Sequence, residues 1–202
     1  MVGVRKARAA ETETALKAAA KEVFAERGYL NTKITDITAA AGRAAGSFYN
    51  HFASKEELLQ SLLSDLLEAV DDSVPADPEH DPDFTGRSAI RYHVAAYFQF
   101  YRKNRTVMVA LQQAAMVDKT VAAKLADLTA PDLGHLAEHL EYVRRAGYPL
   151  PGEPRPVAQA ISAVMWGFGH AHLVDENTGL TDDEAVDLVT DFIHRGIAGR
   201  AP

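Results

Sequence analysis

The sequence predicts an all-α protein of about nine helices, on three observations. Apolar residues recur at spacings of three and four along almost the whole chain, as one buried face of a 3.6-residue helix requires. No stretch alternates cleanly between apolar and polar, so no half-buried strand is expected. Ser/Thr-x-x-Glu boxes and well-placed glycines divide the periodic segments into separate helices.

Taken in order, Leu16, Ala20, Val23 and Phe24 form the stripe of a first helix, which Gly28 ends by supplying a left-handed cap. A short second helix carries Ile34, Ile37 and Ala41 and stops at Gly42. A third, of about two turns, runs through Phe48 and Phe52. Ser54 opens a fourth, its hydroxyl covering the first turn while Glu57 reaches back, and Leu58, Leu59, Leu62, Leu63, Leu66 and Leu67 give it an apolar face. Residues 71–86, DDSVPADPEHDPDFTG, hold three prolines and five aspartates, which predicts an acidic, mobile connection.

Helices resume at about Arg87–Lys103 and Thr106–Val117. A longer stretch, about Thr120–Ala146, contains Pro131 and Gly134 and is expected to kink or divide there. Two more helices close the chain. One runs from about Arg155 to Leu173; the other, Thr181–Ile197, opens with a Thr181/Glu184 capping box and should turn Val186, Val189, Phe192, Ile193 and Ile197 inward.

With 202 residues and 47% hydrophobic content, the chain can bury one sizeable core or two small ones. No run approaches the roughly 18 apolar residues that span a bilayer, so no membrane partner is expected. The basic start at Arg5, Lys6 and Arg8 is followed by Ala-rich, Glu- and Thr-interrupted sequence, unlike a secretory signal. Cysteine is absent, which excludes disulfides and thiolate metal sites and fits a cytoplasmic address. The net charge of −7 is unevenly spread. Residues 1–52 hold eight Lys/Arg against five acids, leaving +3, so the other 150 residues carry −10. A polyanion would be drawn to one end and repelled by the other.

The most informative stretch is GRAAGSFYNHF at 42–52, followed by SKEELL at 54–59. Gly42 permits a steep turn between two short helices, and the second offers Ser47, Tyr49, Asn50 and His51 on one side while Phe48 and Phe52 anchor the other. Gly46 leaves room for a backbone or base edge to come close. This is the layout of a helix-turn-helix that lays its second helix in the major groove of DNA.

Over about residues 12–60, FAERGYLNT, ITDITAAAG, GSFYNHF and SKEELL at this spacing closely resemble the TetR/AcrR family of transcriptional regulators. The resemblance implies an N-terminal three-helix DNA-binding domain, residues 1–53, and a C-terminal helical ligand-binding and dimerisation domain, residues 54–202. It implies a homodimer on a palindromic operator, most often a repressor, released when a small molecule binds. Carried over by position, Thr32, Tyr49, His51 and Lys55 would contact phosphates, and Arg43, Ala45, Gly46, Ser47 and Asn50 would meet base edges. Ala44 stands where the family usually has a capping Ser or Thr, a loss of about 1 kcal/mol. Lys33 and Arg43 replace a hydroxyl and a small apolar residue, and both suit phosphate attraction or, at Arg43, guanine.

Beyond residue 60 the resemblance is general. Tyr97, Phe98, Tyr101, Met108, Met116, Tyr142, Met165 and Trp166 are more aromatic and thioether groups than one helix face needs, and with Leu111 and Gln112 are expected to line an apolar pocket for a hydrophobic or aromatic effector. Ala163, Gly167 and Ala171, spaced by four, together with Val189, Phe192 and Ile193, are expected at a dimer seam. An alternative use lies in His135, Glu138 and His139, an H-x-x-E-H spacing that puts two imidazoles on one helix face. It would suit a metal-responsive regulator or, less readily, a zinc hydrolase, which also needs a third ligand and an open position. No nucleophile elbow or phosphate-binding glycine loop is present, so no catalytic residues, metal or cofactor are expected.

Overall fold

The computed structural model describes residues 2–71, 81 and 83–198. Among these the chain forms nine helices: α1 Val2–Arg27, α2 Ile34–Ala40, α3 Ala45–Phe48, α4 Lys55–Asp71, α5 Arg87–Lys103, α6 Arg105–Val117, α7 Lys119–Arg145, α8 Pro154–Leu173 and α9 Asp182–Ala198. The acidic connection expected over 71–86 lies largely outside the described residues; its far end, 83–86, turns into α5 with Phe84 buried.

The chain folds into two compact units. One comprises Met1–Val70 with Thr106–Asp127; the other comprises Asp71–Arg105 with Leu128–Pro202. In the first unit α1 packs on α2, and α2 on α3. Leu16 and Ala20 from α1, Ile37 from α2, Phe48 from α3 and Leu58, Leu59 and Leu62 from α4 are fully shut off from solvent. Each leucine so buried contributes roughly 1.5–3 kcal/mol relative to exposure. Helix α4 belongs to the same unit as α1–α3, and its buried leucines cover their apolar faces.

The turns behave as their residues dictate. Gly42 adopts φ +62°, its N–H reaching the Ala39 carbonyl while the Arg43 N–H reaches Thr38, so two carbonyls of the last turn of α2 are satisfied. Gly28 ends α1 at φ +73°. The Ser54 hydroxyl accepts the Glu57 N–H at 3.2 Å, and the Glu57 carboxylate reaches back to the Ala53 N–H. At α9, Thr181 and Glu184 bond reciprocally at 2.8 and 3.4 Å.

In the second unit α5 packs on α9 and α8, burying Ile90, Val94, Phe98, Val186, Val189 and Ile193. A ladder of ion pairs edges this seam. Arg87 holds Asp187 and Asp191 at 3.0 and 2.6 Å, and Arg91 holds Asp183 and Asp187 at 2.8 and 2.9 Å.

Three expectations change. Helix α7 neither ends nor divides at Pro131 but runs through it. The proline removes one backbone bond, which long helical segments on both sides outweigh, with Val121 buried before it and Leu140 and Val143 after it. The α-helical part of α3 is one turn, four residues, and the chain continues to Phe52 in i→i+3 and i→i+4 turns. Phe192 faces outward, 64% exposed, instead of inward.

Candidate nucleic-acid interface

The α3 segment presents two different sides because of its period. Phe48 and Phe52 point into the unit, their rings 5.7 Å apart, and Phe48 has no exposed surface. Ala45, Gly46, Tyr49 and Asn50 are exposed on the other side, and Ser47 is partly so. A Cβ built on Gly46 meets nothing within 4 Å. The protein's own packing thus gives no reason for a glycine there. Ala44 caps α3 through its backbone alone, with no side-chain hydrogen bond.

The remaining candidates form the support for this surface. Lys33 is exposed at the start of α2, where its N–H donates to the Asp36 carboxylate at 2.9 Å. Asp36 also pairs with Arg27 at 3.1 Å, tying the end of α1 to the start of α2. Thr32 is only 3% exposed, and its hydroxyl donates to the Gly28 carbonyl at 2.8 Å. Its side chain therefore braces the α1–α2 turn and is not laid open for a phosphate.

Lys55 also faces the turn. Its Nζ donates to the Tyr29 and Thr32 carbonyls, both at 2.8 Å, and lies 4.1 Å from the Tyr29 ring centre. Burial lowers the Lys55 pKa from its ordinary value, opposed by the adjoining Glu56 carboxylate. The Tyr29 hydroxyl donates to Glu56 at 2.8 Å. Burial would raise the Glu56 pKa, but the Tyr29 hydroxyl, a backbone amide, Ser54 and Lys55 together hold it below its usual value.

Sequence reasoning missed several members of this support. Gln113 on α6 accepts the Tyr29 N–H at 2.9 Å, whereas the neighbouring Gln112 was the expected polar group. Glu11 pairs with Arg43 at 3.0 Å, and Glu13 lies 3.9 Å from the His51 ring and 3.4 Å from Lys17. Apart from the i,i+4 pair of Glu13 with Lys17, no local pattern signals these contacts, because the partners are 32 to 84 residues apart in sequence.

The residues expected to line an effector pocket divide between the two units. Met108, Leu111, Gln112 and Met116 belong to the first, and Tyr97, Phe98, Tyr101, Tyr142, Met165 and Trp166 to the second. Met116 is 81% exposed and Tyr142 about half exposed, so both lie at the surface instead of lining an enclosure. In the second unit Tyr97, Tyr101 and Trp166 cluster, with ring centres 6.0 and 6.2 Å apart in turn. The Tyr101 hydroxyl stands 3.3 Å from His170 Nδ1, and its pKa is pushed up to about 12, mainly by burial. The Tyr97 hydroxyl is buried with no hydrogen-bond partner in the protein, and burial raises its pKa well above the ordinary range.

Of the expected seam, Ala163 and Gly167 are exposed and Ala171 is partly so. Val189 and Ile193 are instead buried inside the unit, because the α9 stripe they share with Val186 and Ile197 packs inward. Leu188 and Phe192 are the apolar residues α9 leaves outside. Among the described residues the H-x-x-E-H spacing gathers no third ligand. His135 and Glu138 are exposed, while His139 stacks on Phe84 at 4.7 Å beside His93. Among the described residues no three His, Cys, Asp or Glu side chains gather where they could hold a metal.

Among the described residues a helix-turn-helix braced by α1 and α4 is followed by further helices and no strand. Residues 16–62 match the family described as "Bacterial regulatory proteins, tetR family". The repressor DhaR of Mycobacterium sp. (strain GP1) is 49% identical over a stretch covering 27% of this chain and 32% of its own. The regulator TtgR of Pseudomonas putida is 38% identical over 40% and 39% respectively. These matches span well under half the length of either relative. Over nearly the whole length the fold resembles a TetR-family structure from Syntrophomonas wolfei, with TM-score 0.74, 21% identity, and coverage of 95% of this chain and 97% of that one. The regulator FadR of Bacillus subtilis, solved with stearoyl-CoA, gives 0.71 at 18% identity, covering 91% and 98%. The likeness to tetR-family proteins is thus one of sequence over residues 16–62 and of fold over most of the rest.

Proposed function

We propose that the protein is a ligand-responsive transcriptional repressor that binds a palindromic operator as a homodimer in the cytoplasm. The observation that carries this reading is the α3 surface. Gly46, Tyr49 and Asn50 are exposed on a turn whose opposite side is locked by Phe48, and Gly46 has no neighbour of its own that requires a glycine. Such a surface is rigid from behind and free in front, as base-edge reading requires. Ala45, Ser47 and Arg43 stand beside it to read bases; Lys33, Tyr49 and His51 flank it toward phosphates. Lys55 and Thr32 act on this reading chiefly by fixing the turn that carries them.

Dimerisation is assigned to α8 and α9, whose outward Ala163, Gly167, Leu188 and Phe192 offer a small-residue groove beside a large apolar group. The effector is assigned to the aromatic cluster of the second unit. A molecule with an apolar body and one hydrogen-bonding group suits it, because the Tyr97 hydroxyl has no protein partner. The stearoyl-CoA carried by the Bacillus subtilis FadR structure is a compound with a long apolar chain, which agrees with that class. Coupling between effector and DNA is assigned to α4, through its leucine-rich face.

Selection of bound duplexes from a random pool by the full-length protein tests the reading. Enrichment of an inverted repeat with half-sites one helical turn or a multiple apart is expected. Release of that duplex by an apolar compound, and not by polar analogues, would identify the effector class. No enrichment over the starting pool would refute the DNA-binding assignment.

A further inference from the structure

Arg43 and His51 flank the two ends of the α3 surface, and α1 meets both with an acid. Glu11 holds the Arg43 guanidinium by an Nη2–Oε1 contact of 3.0 Å. Two residues along, Glu13 stands 3.9 Å from the His51 ring. The Glu11–Arg43 pair is partly open to solvent on the arginine side and well exposed on the glutamate side, while Arg43 Nε is buried with no protein hydrogen-bond partner. One edge of the planar fork is therefore spoken for, and the group is aimed by a carboxylate on a different helix.

We infer that Glu11 is a positioning residue for Arg43, holding its guanidinium off passing phosphates and presenting it toward a base edge. This rests on the proposed role of Arg43 in DNA reading. The physical argument is competition. On a random duplex Arg43 gains one phosphate contact only by leaving Glu11, and the glutamate charge next to it opposes the backbone. On the operator the fork can keep Glu11 on one edge and accept a guanine on another, because a guanidinium carries five N–H donors in a fixed plane. Glu11 thus subtracts from sequence-independent attraction more than from specific binding, which is how a repulsive element produces discrimination.

The test measures the full-length protein against two labelled duplexes, one selected from a random pool by the wild type and one of scrambled sequence. Glu11→Gln keeps the side chain's size and removes its charge. Affinity for the scrambled duplex should rise about fivefold, the upper range for an exposed ion pair. The log–log salt slope on that duplex should steepen by about 0.9, one added phosphate contact. The ratio of the two affinities should fall accordingly. Glu11→Asp should restore most of that ratio, and in an Arg43→Ala background the effect of Glu11→Gln should shrink to the small part due to its charge alone.

A Glu11→Gln effect that persists undiminished in the Arg43→Ala background would overturn the inference, since Glu11 would then act by its own charge alone. Weakened operator binding in Arg43→Ala with no change in Glu11→Gln would overturn it while leaving the reading of Arg43 intact. If Arg43→Ala binds both duplexes like the wild type, both fall together. Thermal unfolding of each variant, expected to match the wild type closely because Glu11 is exposed, separates these outcomes from misfolding.

Discussion

Replacing Gly46 by alanine should separate folding from function at one atom. Gly46 lies in α3 with no positive φ, and a Cβ placed there meets nothing within 4 Å. The substitution therefore costs neither strain nor overlap within the protein. Alanine is favoured over glycine in a helix interior by about 1 kcal/mol, which is an upper bound in so short a helix. Stability should consequently stay level or rise by up to about 1 kcal/mol. At the DNA the same methyl group occupies the space through which a base edge or sugar would approach. Loss of one base-edge contact costs about 1–3 kcal/mol, which is roughly 5- to 150-fold in affinity. Gly46→Leu should remove operator binding altogether while the protein stays folded. Urea unfolding would give the first quantity, and fluorescence anisotropy with the selected operator the second. Operator affinity unchanged in Gly46→Ala would refute the placement of α3 against DNA, and a loss of more than about 1 kcal/mol of stability would refute the openness of the site.

Tyr29→Phe removes the hydroxyl that donates to Glu56 at 2.8 Å, and should cost about 1–2 kcal/mol at pH 7, as bonds to charged groups do. Because the folded Glu56 pKa lies below its ordinary 4.5, its contribution is complete above that value and is lost as pH falls through the lower folded value. The gap between wild type and Tyr29→Phe in urea unfolding should thus close on acidification below about pH 4.5. Gly167→Leu or Phe192→Glu should shift the protein toward monomer in analytical ultracentrifugation and weaken operator binding in parallel; an unchanged dimer would place the seam elsewhere. Asp187 is held below its usual range by hydrogen bonds from Arg91 and Arg87. Asp187→Asn should lose the part of stability that the wild type sheds in high salt and as pH falls through the lowered folded value, and identical salt dependence in the two proteins would count against the ladder.

Much of this protein can be read from local signals, because capping and periodicity are short-range physics. Gly28 and Gly42 take the left-handed conformation their positions suggest, Ser54 and Thr181 cap α4 and α9, and α5 spans Arg87–Lys103 as its apolar spacing indicates. The exposed groups of α3 follow from the same reasoning, since burying Phe48 and Phe52 leaves Gly46, Tyr49 and Asn50 on the outside. Resemblance to the tetR family supplies the use proposed for those groups.

Where the sequence misled, competing interactions of similar strength met in three dimensions. Pro131 and Gly134 suggest a kink or a division, and with burial on both sides of them α7 does not divide. An α9 stripe of Val186, Val189, Ile193 and Ile197 serves as core, so Val189 and Ile193 are not available to a partner, while Phe192, about a quarter turn away at 3.6 residues per turn, lies outside. Thr32 and Lys55 carry donors suited to phosphate, but nearby carbonyls at 2.8 Å claim them first.

The amino-acid sequence by itself determined nine amphipathic segments, their caps, and a DNA-reading turn of recognisable design, because each depends on residues within a few positions of one another. Tertiary structure alone decided that Gln113 would hold the Tyr29 amide, that Glu56 would hold its hydroxyl, and that Glu11 would take hold of Arg43. Those partners lie 84, 27 and 32 residues apart. Which polar groups meet across such distances depends on how the apolar faces stack, and no short-range pattern records it.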